Sequence, residues 1–427
     1  MKKTIPVISV LLAIPVLGVA SQPPQTTYPT QLQTQAVKIL EKQPVFHGKN
    51  GFVDLYTLGY DIPENKKEDV LQKDLKAYTD HKPSFDLNNP SPLWQSALSS
   101  YKNTLSHIPS YKGCVFSSSR PSRKNKTPHS CIDQIKKNPQ AFSYEVATRE
   151  PLLQQALSLS QYDYFASPFP IRSDIPLPTN GFVSLGFIPT FASWQFAQGY
   201  HDLGMSSACQ GIKIGQSLVT QPDNLISGMV GGSLLSHSSQ VLADQMSRLP
   251  VTKQLPQICQ DVLKTKIQPQ KVVCNNLLAE GRFYIFSLRA SDIKALAAKD
   301  ESISQEQASK MYNQALSEAF TAPRFTQFCN AKTQQQVSSN TPRTHQKVLD
   351  MEETRACKKN PLGCVFDSMS MPNYNSYAHR LQSDVAVFEK VVEISHQQTP
   401  VSQKSVTVKS FGPSSPKVVL PLRASQQ

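Results

Sequence analysis

Apolar residues that return every three to four positions, cut at intervals by Gly and Pro, restrict this chain to short amphipathic helices more than any other feature does. The stretch "SWQFAQGYHDLGMSSACQGIKIGQS", Ser193 to Ser217, sets the pattern. Phe187, Phe191, Trp194, Ala197, Tyr200 and Leu203 keep helical spacing up to Gly204, and Ala208, Ile212, Gly215, Leu218 and Val219 continue it as far as Pro222. Two helices joined at Gly204 as an antiparallel hairpin are expected there. A third follows with Asp223 as its N-cap, running from Leu225 past Gly231 and Gly232 to Met246.

The rest of the chain repeats the theme. Phe52, Leu55, Tyr56 and Leu58 form a short stripe that Gly59 ends, with Pro63 beyond it, and a second short helix runs through Val70, Leu71 and Leu75. Ser91 and Pro92 read as the start of an amphipathic helix carrying Trp94, Ala97, Leu98, Tyr101, Leu105 and Ile108. From Tyr144 the apolar residues Leu152, Leu153, Ala156, Leu157 and Leu159 predict helix, which Pro151 either starts or kinks, ending in the aromatic cluster Tyr162, Tyr164 and Phe165. Pro168, Pro170, Pro176 and Pro178 then forbid regular helix, which marks a subdomain boundary or a long surface connection. The fold expected is mostly α: antiparallel helical hairpins, either a degenerate tetratricopeptide-like array or an irregular helical bundle, stapled by disulfides.

The N-terminus addresses compartment. Lys2 and Lys3 precede an apolar run from Ile5 to Val19, and Gly18 and Ala20 are the small residues a signal peptidase accepts, so cleavage after Ala20 is expected. The run is shorter than the roughly 20 apolar residues a bilayer requires. All eight cysteines, Cys114, Cys131, Cys209, Cys259, Cys274, Cys329, Cys357 and Cys364, follow that cut, as a disulfide framework in an oxidising compartment would have them. Sequence proximity favours Cys114 with Cys131, Cys259 with Cys274 and Cys357 with Cys364, which leaves Cys209 for Cys329. Absence of a Cys-x2-Cys pair, or of His at ligand spacing beside a Cys, argues against zinc.

A net charge of +13 suits contact with anionic polymers or headgroups. Arg120, Arg123, Lys124 and Lys126 stand between Cys114 and Cys131 without an acid among them, and make an anion-binding segment or a solvated loop. Without interleaved aromatics to stack on bases, neither this segment nor the basic tail speaks for nucleic acid. The regions expected are a signal peptide (1–20), a flexible segment (21–45), an N-terminal helical region (46–166), a Pro-rich connection (167–180), a central and C-terminal helical region (181–394) and a basic, largely disordered tail (395–427). Within that tail, Val406 and Val408 alternate with polar residues, as a half-buried strand able to join a partner's sheet would.

Phe196, Ala197, Tyr200, Leu203 and Gly204 resemble the first helix of a tetratricopeptide hairpin, although Lys213 and Gln216 depart from the second and no second copy follows at a regular period. The blocks "NGFVDLYTLGYDIP", "FASWQFAQGYHDLG", "DNLISGMVGG" and "NPLGCVFDSMSMPNYNSYAHRLQSDVAVFEKVV", with the Cys114 and Cys131 pair, resemble a group of exported helical proteins of proteobacteria without assigned activity. The resemblance covers scattered blocks over residues 50–395, and this chain departs from it at Cys364. It implies helices and export, and supplies no catalytic residues.

Chemistry therefore rests on the residues themselves. A Gly-x-Ser-x-Gly elbow, a phosphate-binding Gly-rich loop and a His-Glu-x-x-His pair are all missing from the sequence. Ser206 and Ser207 lie close to His201 and Asp202, yet sequence neighbours on a helix point in different directions, so a hydrolytic triad is disfavoured. Glu280, inside the apolar run "VVCNNLLAEGRFYIFSLRA", is a candidate general acid if buried, and a structural ion pair or exposed stripe with Arg282 and Arg289 otherwise. The function expected is a non-catalytic, exported interaction scaffold, periplasmic or secreted, without cofactor or metal, whose partner is a protein or an anionic envelope polymer. The alternative is an envelope hydrolase acting on cell-wall glycan or ester.

Overall fold

The computed structural model describes residues 31–81, 95–104, 113–114, 116, 130–171, 181–250, 252–290, 322–323, 325–330, 374–396, 405–408 and 418–422. The leader with its cut after Ala20, the basic residues Arg120, Arg123, Lys124 and Lys126, and Cys357 and Cys364 lie outside the described residues. Helices dominate: α1 (Gln31–Glu41), α2 (Phe52–Tyr56), α3 (Lys67–Asp80), α4 (Cys131–Lys137), α5 (Pro139–Ala147), α6 (Glu150–Ser158), α7 (Phe182–Leu185), α8 (Ile188–Ala197), α9 (His201–Thr220), α10 (Leu225–Ser247), α11 (Gln257–Leu263), α12 (Pro269–Ala290) and α13 (Tyr374–His396). Two short strands, β1 (Ser405–Thr407) and β2 (Val419–Pro421), pair antiparallel with Val406 opposite Leu420.

The centre is the α8–α9–α10 stack, and its small residues explain its closeness. Each Gly inside a helix costs about 1 kcal/mol of helix propensity relative to Ala. Here that cost is offset by packing, because a Cβ placed on Gly215 would stand 2.7 Å from the Leu235 amide nitrogen and 2.9 Å from the Gly231 carbonyl oxygen. Gly204 meets Ala192 and Phe196 of α8, Gly211 meets Ser238 of α10, and Gly231 meets Leu218 and Val219 of α9. As one helix ascends its partner descends, so both pairs run antiparallel. Hydrogen bonds hold the seams: Ser207 of α9 donates to Gln195 Oε1 of α8 at 2.7 Å, and Gln245 of α10 donates to the Ala192 carbonyl of α8 at 3.0 Å.

Several boundaries differ from the sequence reading. The α8–α9 turn falls at Gly199, whose φ of +91° is one that a side chain resists, and Gly204 lies inside α9 as a contact point rather than a terminus. Asn224, not Asp223, caps α10: its side chain accepts from Ser227 N while Ser227 Oγ accepts from Asn224 N. No long helix joins Ala97 to Tyr101. Residues Ala97–Ser100 make a single 3-10 turn capped by Ser96, and Tyr101 is extended. The buried Asp74 carboxylate takes the Ala97 amide and the Ser96 hydroxyl, groups a helix start would have used itself. Pro151 opens α6 rather than kinking it, where its missing N–H costs nothing.

Disulfides correct two pairings. Cys114 bonds Cys131 as expected, but Cys209 on α9 bonds Cys259 on α11, and Cys274 on α12 bonds Cys329 in the 3-10 turn Gln327–Cys329. Proximity in sequence fails for Cys259 and Cys274 because α11 and α12 turn these side chains to different neighbours. Closing loops of 50 and 55 residues, each bridge contributes about 4 kcal/mol in a chain-entropy account.

Two segments expected to be flexible hold structure. In the 21–45 segment, α1 buries Ala36 and Leu40 and packs on α12. In the tail, Val408, Val418, Leu420 and Leu422 are buried, and β2 lies on α10; β1 therefore pairs within its own chain. The Pro-rich connection does not divide the core either. Leu55, Leu153 and Phe165 share one apolar cluster with Phe191, Leu218 and Leu234 from beyond it.

Candidate functional site

The opening stretch distributes its polar residues in separate directions. His201 is exposed and lies against the Phe196 ring at 4.5 Å, Asp202 accepts from Lys253 at 2.9 Å, and Ser207 is spent on Gln195. Ser206 is half-buried on α9, more than a helical turn along from His201. The arrangement is that of a helix surface, as the angular spacing of neighbouring residues requires.

Glu280 is better hidden. It sits on α12 beside Tyr374, whose hydroxyl is 3.5 Å from Oε1, and burial raises its carboxyl above the ordinary range. Arg282 does not face it: the Arg282 Nε donates to the Lys42 carbonyl at 3.1 Å, and the carboxylate that acts on it is Asp223. Glu280 and Arg282 thus form no ion pair, Arg282 belongs to a different face of α12, and the Arg289 side chain lies outside the described residues.

That face borders a cleft of about 340 Å³. Asn275, Leu278 and Arg282 share one side of α12 by their three-and-four spacing and line it, together with Ile39 of α1, Val45 and Phe46 of the following segment, and Thr220 at the end of α9. The segment is fastened over α9 by Gln221, which accepts from the His47 amide at 2.8 Å and donates to the His47 carbonyl at 3.2 Å. Asp223, freed from capping, accepts from the Ser167 amide at 3.1 Å, and burial lifts it to about 6 even though Ser167, Asn224 and Arg282 oppose the rise. Loss of water depresses the Arg282 guanidinium, partly offset by Asp223. Ile39 and Val45 remain 47 % and 71 % exposed, so the cleft has an apolar lip and a cationic wall.

A second polar cluster lies between α10 and α13. Asp384 is buried against Gly232 and raised to about 7 by loss of water, with Arg380 at 3.9 Å and Ser236 as weak compensation. His237 stacks on Phe116 at 4.4 Å and is lowered to about 4 by burial and, secondarily, by Arg380. Neither cluster was legible as a site. Their members come from segments far apart, and the only local signal was a charged residue interrupting an apolar helical run, as Arg282 and Asp384 both do.

Among the described residues no group of three or more His, Cys, Asp or Glu is placed to hold a metal ion, and no helix is long and apolar enough to cross a membrane. Comparison with known proteins finds no matching family model, no matching curated protein and no matching solved structure.

Proposed function

We propose that this chain is an exported, non-catalytic helical scaffold of the cell envelope that holds a partner on its disulfide-clamped helices. The observation that carries the reading is how the buried carboxylates Asp74 and Asp244 are used. Asp74 is taken by Tyr56, Ser96 and Ala97, and Asp244 by Ser130 and Arg248; each therefore joins separate elements instead of facing open space. Among the described residues, three disulfides across helix joints fit an oxidising compartment. The likeness to exported proteobacterial helical proteins points the same way, and the leader ending at Ala20 would deliver the chain there. Helical stacks of this kind offer extended binding surfaces.

A hydrolase acting through Glu280 is the second reading, favoured by the raised carboxyl beside Tyr374. Glu280 is not among the residues lining the α12 cleft, which leaves it without a substrate space of its own there. One experiment separates the two. The full oxidised chain, purified under native conditions, is examined by mass spectrometry for a stoichiometric companion and is incubated with purified cell wall. A retained companion and unchanged wall turbidity are expected. Turbidity loss that Glu280→Gln abolishes would replace the scaffold by an enzyme.

A further inference from the structure

We infer that the cleft between α1, the α9 end and α12 is a recognition site for the free C-terminal carboxylate of a partner polypeptide ending in an apolar residue. The inference rests on the scaffold reading and gives its partner a chemistry.

The cationic wall comes first. Arg282 spends Nε on the Lys42 carbonyl, which fixes the plane of the guanidinium and leaves the two terminal nitrogens for a second ligand. Among the described residues no carboxylate lies within ion-pair distance of it; Asp223 acts on it only at longer range. A planar two-oxygen anion matches two parallel N–H groups, which is the geometry a carboxylate presents. The lip selects what carries the anion. Ile39, Val45 and Phe46 supply an apolar wall, and a space of about 340 Å³ suits one or two apolar side chains rather than a folded domain. Polar groups between these walls decide for a peptide over a plain fatty acid. Asn275 Nδ2 donates to the Thr220 carbonyl at 3.2 Å, so its oxygen keeps capacity to accept a peptide N–H that an alkyl chain lacks.

The charged groups lining the cleft are Lys42 after α1 and Arg282 on α12; Asp223, at the α9–α10 corner beside the lining residue Pro222, acts on Arg282 through space. Lys42 and Arg282 attract the ligand, and Asp223, titrating near 6, competes with it for Arg282. A peptide carboxylate keeps its charge down to about pH 3.5. Affinity therefore rises as the pH falls from 7 to 5, because Asp223 is neutralised before the ligand is.

The test is fluorescence anisotropy of the full oxidised chain with an N-terminally labelled peptide ending in Ala-Leu-Phe and a free carboxylate, alongside its C-terminal amide and with octanoate as competitor. Binding at least tenfold tighter for the acid than for the amide is expected, strengthening toward pH 5. Arg282→Gln should weaken the acid tenfold or more and leave the amide unmoved. Val45→Glu, a change at an exposed lip position that the core does not sense, should weaken it similarly and guards against a folding defect in the first variant. Equal affinity for acid and amide, no binding to either, or octanoate displacing the peptide at equal concentration would overturn the assignment. If Arg282→Gln still retains the companion of the native preparation, the cleft assignment falls while the scaffold stands.

Discussion

Asp74 is wholly buried and accepts from the Tyr56 hydroxyl at 2.5 Å, the Ser96 hydroxyl at 2.7 Å and the Ala97 amide at 2.5 Å. One side chain thereby fixes α2, α3 and the 3-10 turn to each other, and the neighbouring negative charge, after burial, pushes the Tyr56 hydroxyl far above its ordinary range. Removing the acceptor strands three donors, each worth roughly 1–3 kcal/mol when buried and unpaired. Asp74→Ala should therefore lower unfolding free energy by about 3 kcal/mol or more in urea melts, and Asp74→Asn by less, since its amide oxygen still accepts. Lys76→Ala, which breaks the exposed Lys76–Asp80 pair, should leave the midpoint unchanged. A loss for Asp74→Ala no larger than for Lys76→Ala would show that the network is not what joins these elements. In sequence Asp74 reads as one more polar position on an amphipathic helix, and its three partners lie 18 to 23 residues away.

At the scale of elements, the α10–α13 contact has a testable pH signature. Asp384, raised to about 7, binds a proton in the folded state that the unfolded chain has released above about pH 4; this stabilises the fold at low pH and is lost as pH rises toward 7. His237, lowered to about 4, stays neutral when folded, so its contribution is full above about 6.5 and is lost as pH falls toward 4. Between pH 4 and 6.5 the two slopes oppose. Asp384→Asn removes one of them, and the difference in stability between variant and parent should shift in the variant's favour by about 1.4 kcal/mol per pH unit rising through that window. His237→Gln should shift the other way. Parallel stability curves for both variants and the parent, measured by denaturant titration, would remove Asp384 and His237 from the account. Periodicity located α10, because burial on a helix leaves a three-to-four mark, while α13 entered only through the resemblance around Arg380. It could not say that Gly232 stands opposite Asp384, since contact between helices is not written along either one.

Seen as a whole, the molecule is a set of helices whose spacing was readable and whose joints were not. Spacing gave α2, α3, α6, α8, α9 and α10, an unbroken apolar run marked α12, and the Cys114–Cys131 bridge followed from nearness. Joints depend on competition among candidates that look alike in sequence: Gly199 against Gly204 for the turn, Asn224 against Asp223 for the cap, Cys209 against Cys274 for the partner of Cys259. The cleft shares that character, because α1 was read as flexible and its wall could not be foreseen. Binding at the cleft and the clamped scaffold both presuppose that α9 is tied to α11 and α12 to the Gln327–Cys329 turn. The most direct measurement is peptide mapping of the unreduced protein by mass spectrometry. Cross-linked peptides joining Cys209 to Cys259 and Cys274 to Cys329 are the expected result; a peptide joining Cys259 to Cys274 would contradict the arrangement on which the scaffold is built.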